Sequence, residues 1–235
     1  MLNIIQENAA FLVVNKPPGL AAQPDKTGDD SLLTIAEEYC GHPLHIVHRI
    51  DRPVSGLVLF AKTAEAMTLF SLQFQARTVQ KDYLAVVQNL PKEKEGTLVH
   101  YLKKNQAKNT STVFDKEQPG TERAELHYRL FESSKNYHLL HIQLLTGRHH
   151  QIRAQLAAIG SPIKGDVKYG ARRSNTDRSI HLHAWRLAFD NPATGERILL
   201  EAAPPEEVLW QALNFQSGFE KKAPLPSGKA HTAPR

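Results

Sequence analysis

Ala124-Glu125-Leu126-His127-Tyr128-Arg129-Leu130 and, after a short gap, His138-Leu139-Leu140-His141-Ile142-Gln143-Leu144 decide the fold class. In the first stretch Ala124, Leu126, Tyr128 and Leu130 alternate with polar residues, and in the second His138, Leu140, Ile142 and Leu144 recur at the same period of two. A period of two lines up one face of an extended chain, so the two stretches predict an antiparallel pair of strands. A second pair is predicted downstream. There His183, Trp185, Leu187 and Phe189 alternate, Asn191-Pro192-Ala193-Thr194-Gly195 turns, and Ile198 to Ala202 returns.

Upstream, Phe11 to Val14 predicts a short buried strand stopped by Lys16-Pro17-Pro18-Gly19, where Pro18 and Gly19 suit the central positions of a type II turn. Ser31 can cap a short helix that Gly41 ends. The apolar run Gly56 to Ala61 predicts a central strand, and Met67, Phe70 and Phe74 recur at helical spacing. Asp82 to Val87 predicts another strand, whereas residues 91–120 are polar, Lys-rich and weakly patterned and predict a long surface loop. Ile152, Leu156 and Ile159 mark a helix ended by Gly160, with Thr146 as its candidate N-cap. Strands dominate and helices fall between them without a βαβ rhythm. The prediction is an α+β fold with a mixed, mostly antiparallel central sheet flanked by helices and loops.

The 235 residues, 41% hydrophobic and 23% charged, have the balance of an ordinary globular chain. The single cysteine, Cys40, leaves no internal disulfide and points to a reducing, cytoplasmic location. The longest apolar runs fall far short of the roughly 20 residues needed to span a bilayer, and the first residues lack the pattern of a secretory signal. Net charge is +5, but residues 216–235 carry four basic residues against Glu220, a net +3. That stretch, rich in proline and glycine, reads as a flexible basic tail beyond a single domain over 1–215, which keeps only +2. Within the domain the richest basic stretch runs from Arg148 to Arg178, with Arg153, Lys164, Lys168, Arg172 and Arg173 between them and only Asp166 and Asp177 in opposition. It is a candidate phosphate-binding surface or a solvated basic face.

Two stretches could carry chemistry. In His48-Arg49-Ile50-Asp51-Arg52-Pro53-Val54-Ser55-Gly56 a carboxylate stands between two arginines just ahead of an apolar strand. Nearby guanidinium favours the ionised carboxylate, which can be a nucleophile, a general base or a salt-bridge partner. In Thr146-Gly147-Arg148-His149-His150-Gln151-Ile152-Arg153 the helix start and Arg148 could meet a phosphate. Arg153, beside the helix's apolar face, either snorkels to solvent or is buried against a carboxylate such as Asp51. Twelve histidines, among them His45, His48, His149, His150, His181 and His183, raise the question of a metal, but no metal-site spacing appears. Hydrogen-bonded structure or RNA contacts are the simpler reading, and no metal site is assigned.

Together, five motifs in order resemble the RluA-type RNA pseudouridine synthases: Val13 to Gly19, His48 to Gly56, Lys81-Asp82-Tyr83-Leu84-Ala85-Val86-Val87, Gly147 to Arg153 with Gly165-Asp166, and Leu182-His183-Ala184. The resemblance covers about residues 4 to 212. Small departures are Ile50, His149 and Asp190-Asn191-Pro192. The resemblance implies the pseudouridine synthase fold and an isomerase that detaches uracil of an RNA uridine from C1′ at N1, turns it and rejoins it through C5. That reaction has no redox step and adds no group, so it calls for neither cofactor nor metal. It implies Asp51 as nucleophile, acting at C1′, at C6 or by way of a glycal, in a dry pocket for a flipped base. Tyr83 would stack on the uracil and could take the C5 proton, Arg153 would pair with Asp51, and Arg49 would fill the space the base leaves. Arg148, Lys164 and Lys168, with Arg172 and Arg173, are expected on backbone phosphates of structured rRNA or tRNA. The expected protein is a monomer without membrane contact or obligate protein partner, and it would find its RNA without an N-terminal S4 module.

Overall fold

The stretch Gly56 to Ala61 is apolar throughout because the strand it forms is covered on both faces, the condition under which alternation disappears. In the computed structural model, which describes residues 2–26 and 28–213, that strand is the fourth of eleven. The order along the chain is β1 (Ile4–Glu7), β2 (Phe11–Lys16), α1 (Leu32–Cys40), β3 (His45–Ile46), β4 (Ser55–Ala61), α2 (Ala64–Gln75) and β5 (Gln80–Val87). There follow β6 (Glu95–Asn105), β7 (Thr110–Phe114), β8 (Glu122–Ser133), β9 (His138–Leu144), α3 (Gln151–Ala158), β10 (Leu182–Asp190), β11 (Arg197–Glu201) and α4 (Val208–Ala212). The expected tail, 216–235, lies outside the described residues.

All eleven strands join one sheet in the order β1-β2-β4-β10-β5-β9-β8-β6-β7, with β3 added to β4 and β11 to β10. Every pairing is antiparallel except β4 with β10, where Ser55 faces His183 and Gly56 faces Ala184. The α+β, mostly antiparallel expectation is therefore what the chain adopts. Gly56 makes the parallel pairing possible: at φ +118° a Cβ there would lie 2.2 Å from the Ala184 carbonyl oxygen. This one close approach brings the segment before β4 beside the start of β10.

The sheet is packed on both faces. Phe11, Phe70 and Phe189 meet edge to face with centroids 5.2–6.2 Å apart, so α2 is fastened to β2 and β10 by the residue its helical spacing singled out. Fully burying a side chain such as Phe70 contributes about 2–3 kcal/mol. On the other face Val14, Val58, Ala85, Ile142 and Ile152 belong to the larger core, and Tyr83 lies at its edge. Helix ends follow local chemistry: Ser31 Oγ accepts the Thr34 amide at the start of α1, and Gly41, at φ +70°, ends it.

Residues 91–120 are not a loop. They form the hairpin β6–β7, which pairs with β8 from Glu95 opposite Arg129 to Leu102 opposite Glu122. Its alternation is faint because both faces are largely in solvent. In β6 only Leu102 is fully buried, while Lys103 and Lys104 point to water. The hairpin is held from inside by α3, whose Gln155 Nε2 lies within hydrogen-bonding distance of the Leu98 and Ala124 carbonyls and of His100 Nδ1.

Candidate active site

Asp51 sits on a turn gripped from two sides. Its own carbonyl accepts the Val54 amide at 3.0 Å, Ile180 donates to the Pro53 carbonyl and Gly19 to the Arg52 carbonyl. Lys16, wholly buried, turns its ammonium into the same turn and donates to the carbonyls of Pro17, Leu20 and Arg52 at 2.9, 2.7 and 3.2 Å. Burial lowers its pKa to about 7 while the Asp51 charge opposes that shift. The proline-glycine turn after β2 and the turn carrying Asp51 are thus one folded unit.

The opposite wall is the start of α3. His150, in the left-handed region at φ +53°, is the N-cap position and gives no side-chain cap. Thr146 is not the cap. Its hydroxyl donates to Gln151 Oε1 at 2.8 Å and accepts the Glu125 amide, and Gln151 Oε1 also accepts the Arg148 amide. The Gln151 side chain thus reaches back and ties the loop before the helix, and α3 itself starts without a side-chain cap. The helix is not amphipathic either, since Gln151 through Leu156 are all buried.

Arg153 reaches Asp51 across this cleft, with Nη1 donating to Asp51 Oδ2 at 2.8 Å. Its other edge makes a two-pronged pair with Asp166, Nε to Oδ2 at 2.7 Å and Nη2 to Oδ1 at 2.9 Å. Arg153 is 4% exposed and Asp166 2%, whereas the Asp51 side chain is 29% exposed. Burial works against the Arg153 charge, but Asp166 and Asp51 outweigh it and its pKa is raised. Asp166 fixes the guanidinium, and the guanidinium presents one remaining edge to a carboxylate open to the cleft.

The sequence neighbours do not supply that partner. Arg52 pairs with Asp25 and Asp29, each at 3.0 Å. Arg49 is exposed at the cleft rim. The cation facing Asp51 comes from 102 residues away.

Beneath Arg153 lies the ring of Tyr169, its centroid 5.1 Å from the guanidinium carbon. The Tyr169 hydroxyl accepts the Ser111 amide at 2.7 Å and stands 2.9 Å from His150 Nδ1. Burial drives the His150 pKa down to about 3, against the pull of Asp51, so the ring is neutral. With Nδ1 accepting from Tyr169, the ring proton belongs on Nε2, which faces Asp51 Oδ2 at 3.5 Å. Asp51 is thus flanked by donors on the α3 side.

Tyr83, on β5, lines the same cleft with Arg49, Ile50, Leu144 and Arg148. Burial and then the Asp51 charge push its phenol upward, so it is protonated at neutral pH. A protonated phenol suits stacking and hydrogen donation better than accepting the C5 proton. Lys168 lies in the adjoining groove with Asp51, Arg49 and His149. Arg148 is turned aside, donating to Glu122 Oε1 and the Arg123 carbonyl. Lys164 lines a separate pocket with Asn175, His181 and Trp210, and Arg172 and Arg173 are exposed outside all these clefts.

Most of the histidines raised as metal ligands are otherwise engaged. His181 meets Asn175 and Glu207, His183 meets Ser55 and the Ala202 carbonyl, and His48 accepts the Leu59 amide. Among the described residues no cluster of three or more His, Cys, Asp or Glu is placed to hold a metal. Nor, among them, is any helix long and apolar enough to cross a membrane.

Sequence reasoning missed the parts played by Lys16, Asp166 and Tyr169. Lys16 and Asp166 stand inside motifs already singled out, but nothing local marks either as buried; Tyr169 carried no signal.

Comparison with known proteins gives the family. Residues 10–158 match the family described as RNA pseudouridylate synthase. The chain is 35% identical over 217 residues to YlyB of Bacillus subtilis, named an RNA pseudouridine synthase, covering 88% of this chain and 70% of that one. It is 31% identical over 246 residues to tRNA pseudouridine synthase C of Yersinia pestis, covering 95% and 94%. The solved structure of human RNA pseudouridylate synthase domain containing 1 superposes with a TM-score of 0.75 at 24% identity, over 91% of this chain and 87% of that one, and so shares the fold. A family match over more than half the chain, on a fold and a motif order that both agree with it, shows that this chain belongs to the RluA-type RNA pseudouridylate synthases, which are isomerases.

Proposed function

We propose that this protein converts specific uridines of rRNA or tRNA to pseudouridine, with Asp51 as nucleophile and the target base flipped into the cleft beside Tyr83. One relative is named for tRNA, and another, ribosomal large subunit pseudouridine synthase D of Nitrosomonas europaea, for the ribosome. The chain spans 63% of the latter's length at 35% identity. The reaction breaks N1–C1′ and makes C5–C1′; C5 gives up one proton and N1 takes one, so nothing is gained or lost overall. Asp51 attacks while ionised, Arg153 keeps it aimed, and Tyr83 stacks on the uracil with its hydroxyl as donor. Arg49, exposed at the rim, occupies the space left in the RNA. Lys168 and Arg148 meet backbone phosphates at the cleft, and Lys164, Arg172 and Arg173 outside it. The 1–215 domain does this as a cytoplasmic monomer without an obligate protein partner.

The observation that supports this reading best is the buried Arg153–Asp166 pair, whose one remaining edge is spent on a partly open carboxylate. A merely structural ion pair has no need of a third, exposed partner next to a cleft aromatic. Pseudouridine mapping in total RNA from cells with and without the gene names the target. Asp51→Asn, nearly isosteric, is expected to bind that RNA and release no tritium from its 5-tritiated uridine. Normal release from the variant would overturn the assignment.

A further inference from the structure

The cleft at Asp51 continues past Tyr83 into a second concavity walled by His48, Phe74, Arg77, Lys81, Gly147 and Arg148. The two share Arg49, Tyr83, Leu144, Gly147 and Arg148, so Tyr83 stands in the wall common to both. Among the described residues no carboxylate lines this second space. Lys81 and Arg77 stand out in it, because among the described residues neither forms an ion pair or a side-chain hydrogen bond. Lys81 is half-buried with its ammonium 5.4 Å from the centroid of the Phe74 ring, and His48 stacks on the same ring at 5.6 Å between centroids. A half-buried ammonium set beside an aromatic ring and a second cation, Arg77, lacks a counter-ion.

Arg77 adds an independent observation. It follows α2 directly, past the C-cap Ala76, at φ +58°, in the left-handed region where helices usually end on glycine. Its amide donates to the Phe74 carbonyl and the Thr78 amide to the Gln73 carbonyl, the closing pattern of such a helix end. A glycine would satisfy this backbone without strain, so the chain accepts a conformational cost to keep a guanidinium here.

We propose that Lys81 and Arg77 form a phosphate subsite that holds the RNA backbone next to the target uridine, on the side of Tyr83 away from Asp51 and Lys168. The inference rests on the RNA-modifying reading above. A strand whose base enters at Tyr83 must run out of the cleft in two directions. Lys168 and His149 border one exit and Lys81 and Arg77 the other. The ligand is a phosphodiester; the same two cations could also hold free inorganic phosphate, and the experiment separates the two.

The test uses the full chain and a fluorescein-labelled tRNA transcript, with Lys81→Met, Arg77→Gly and the double variant. Each single change is expected to weaken RNA binding roughly tenfold. Each is expected to flatten the slope of log K against log salt by about 0.7. kcat/KM on total RNA is expected to fall in the same proportion. Arg77→Gly is the discriminating variant: its melting temperature should hold or rise while its RNA affinity drops, which a structural role for Arg77 would not produce. Unchanged affinity and salt slope in the double variant, in a protein whose wild type makes pseudouridine, would overturn the subsite and leave the reaction standing. Absence of pseudouridine from the wild type, with the subsite effects intact, would overturn the reaction instead. Micromolar inorganic phosphate binding that the double variant loses, with RNA affinity unaltered, would show a free-anion site and also overturn the proposal.

Discussion

Two arginines of this protein meet carboxylates in opposite surroundings. Arg153 and Asp166 pair almost without solvent, with Asp51 partly open beside them, and Arg52 holds Asp25 and Asp29 at the surface, its own side chain 34% exposed. Each makes contacts near 3 Å, so distance alone does not separate them. Solvent does. At the surface water competes for both partners and an ion pair contributes little, about 0–1 kcal/mol. In the interior the pair has already given up its hydration, so its value lies in geometry, and removing one member strands the other. The buried cluster therefore orients Asp51, and the exposed one pins a loop beside it.

The sharpest way to break this comparison is Arg153→Met against Arg52→Met. The first leaves the Asp166 carboxylate buried without its cation and should cost about 3–5 kcal/mol in urea unfolding. Pseudouridine formation should fall far more than RNA affinity. The second should cost at most about 1 kcal/mol. Equal losses would mean that the Arg153 cluster is hydrated and that burial is not what sets it apart.

The interior also carries an acid sensitivity. Burial lowers the pKa of His183 to about 4 and those of His150 and His48 to about 3, from 6.5. The unfolded chain takes up these protons near pH 6.5 and the folded chain does not. Stability is thus complete above about pH 6.5 and is lost as pH falls toward 4. Each histidine removes about 1.4 kcal/mol per pH unit in that window. Urea midpoints should hold from pH 7.5 to about 6.5 and drop from there to pH 5; a flat profile would show that the three rings are solvated.

The smallest effect is expected at Arg148. Its pair with Glu122 is half in water, at 34% and 63% exposure, so Arg148→Met should change stability by less than about 1 kcal/mol. Its consequence should appear in RNA affinity and salt dependence. A loss of several kcal/mol in thermal unfolding would move Arg148 from the surface class to the buried one.

Local physics was legible from residues alone. Period-two alternation placed β8 and β9, a one-turn recurrence of Met67, Phe70 and Phe74 placed α2, and Ser31 and Gly41 bounded α1. The order of the motifs pointed to the family, and with it to Asp51, Tyr83 and Arg153. The signal failed where burial was one-sided and thin, as in β6, whose side chains mostly face water and so leave no hydrophobic period to read. It failed also at the start of α3, which has no side-chain cap: Thr146, the candidate, bonds the Gln151 side chain instead.

What the sequence by itself determined is which segments become strands and helices and which residues could do chemistry, because propensity, capping and hydrophobic period act within a few residues. Only the tertiary structure decided that Gly56 lets β4 lie parallel to β10, and that Asp51 faces Arg153 rather than Arg52. Only there does Asp166 lock that guanidinium while Tyr169 sets the tautomer of His150. Those are choices among partners far apart in the chain. They are made by burial, since an ion pair takes its consequences from the solvent around it, and no local pattern of residues records where water will be excluded.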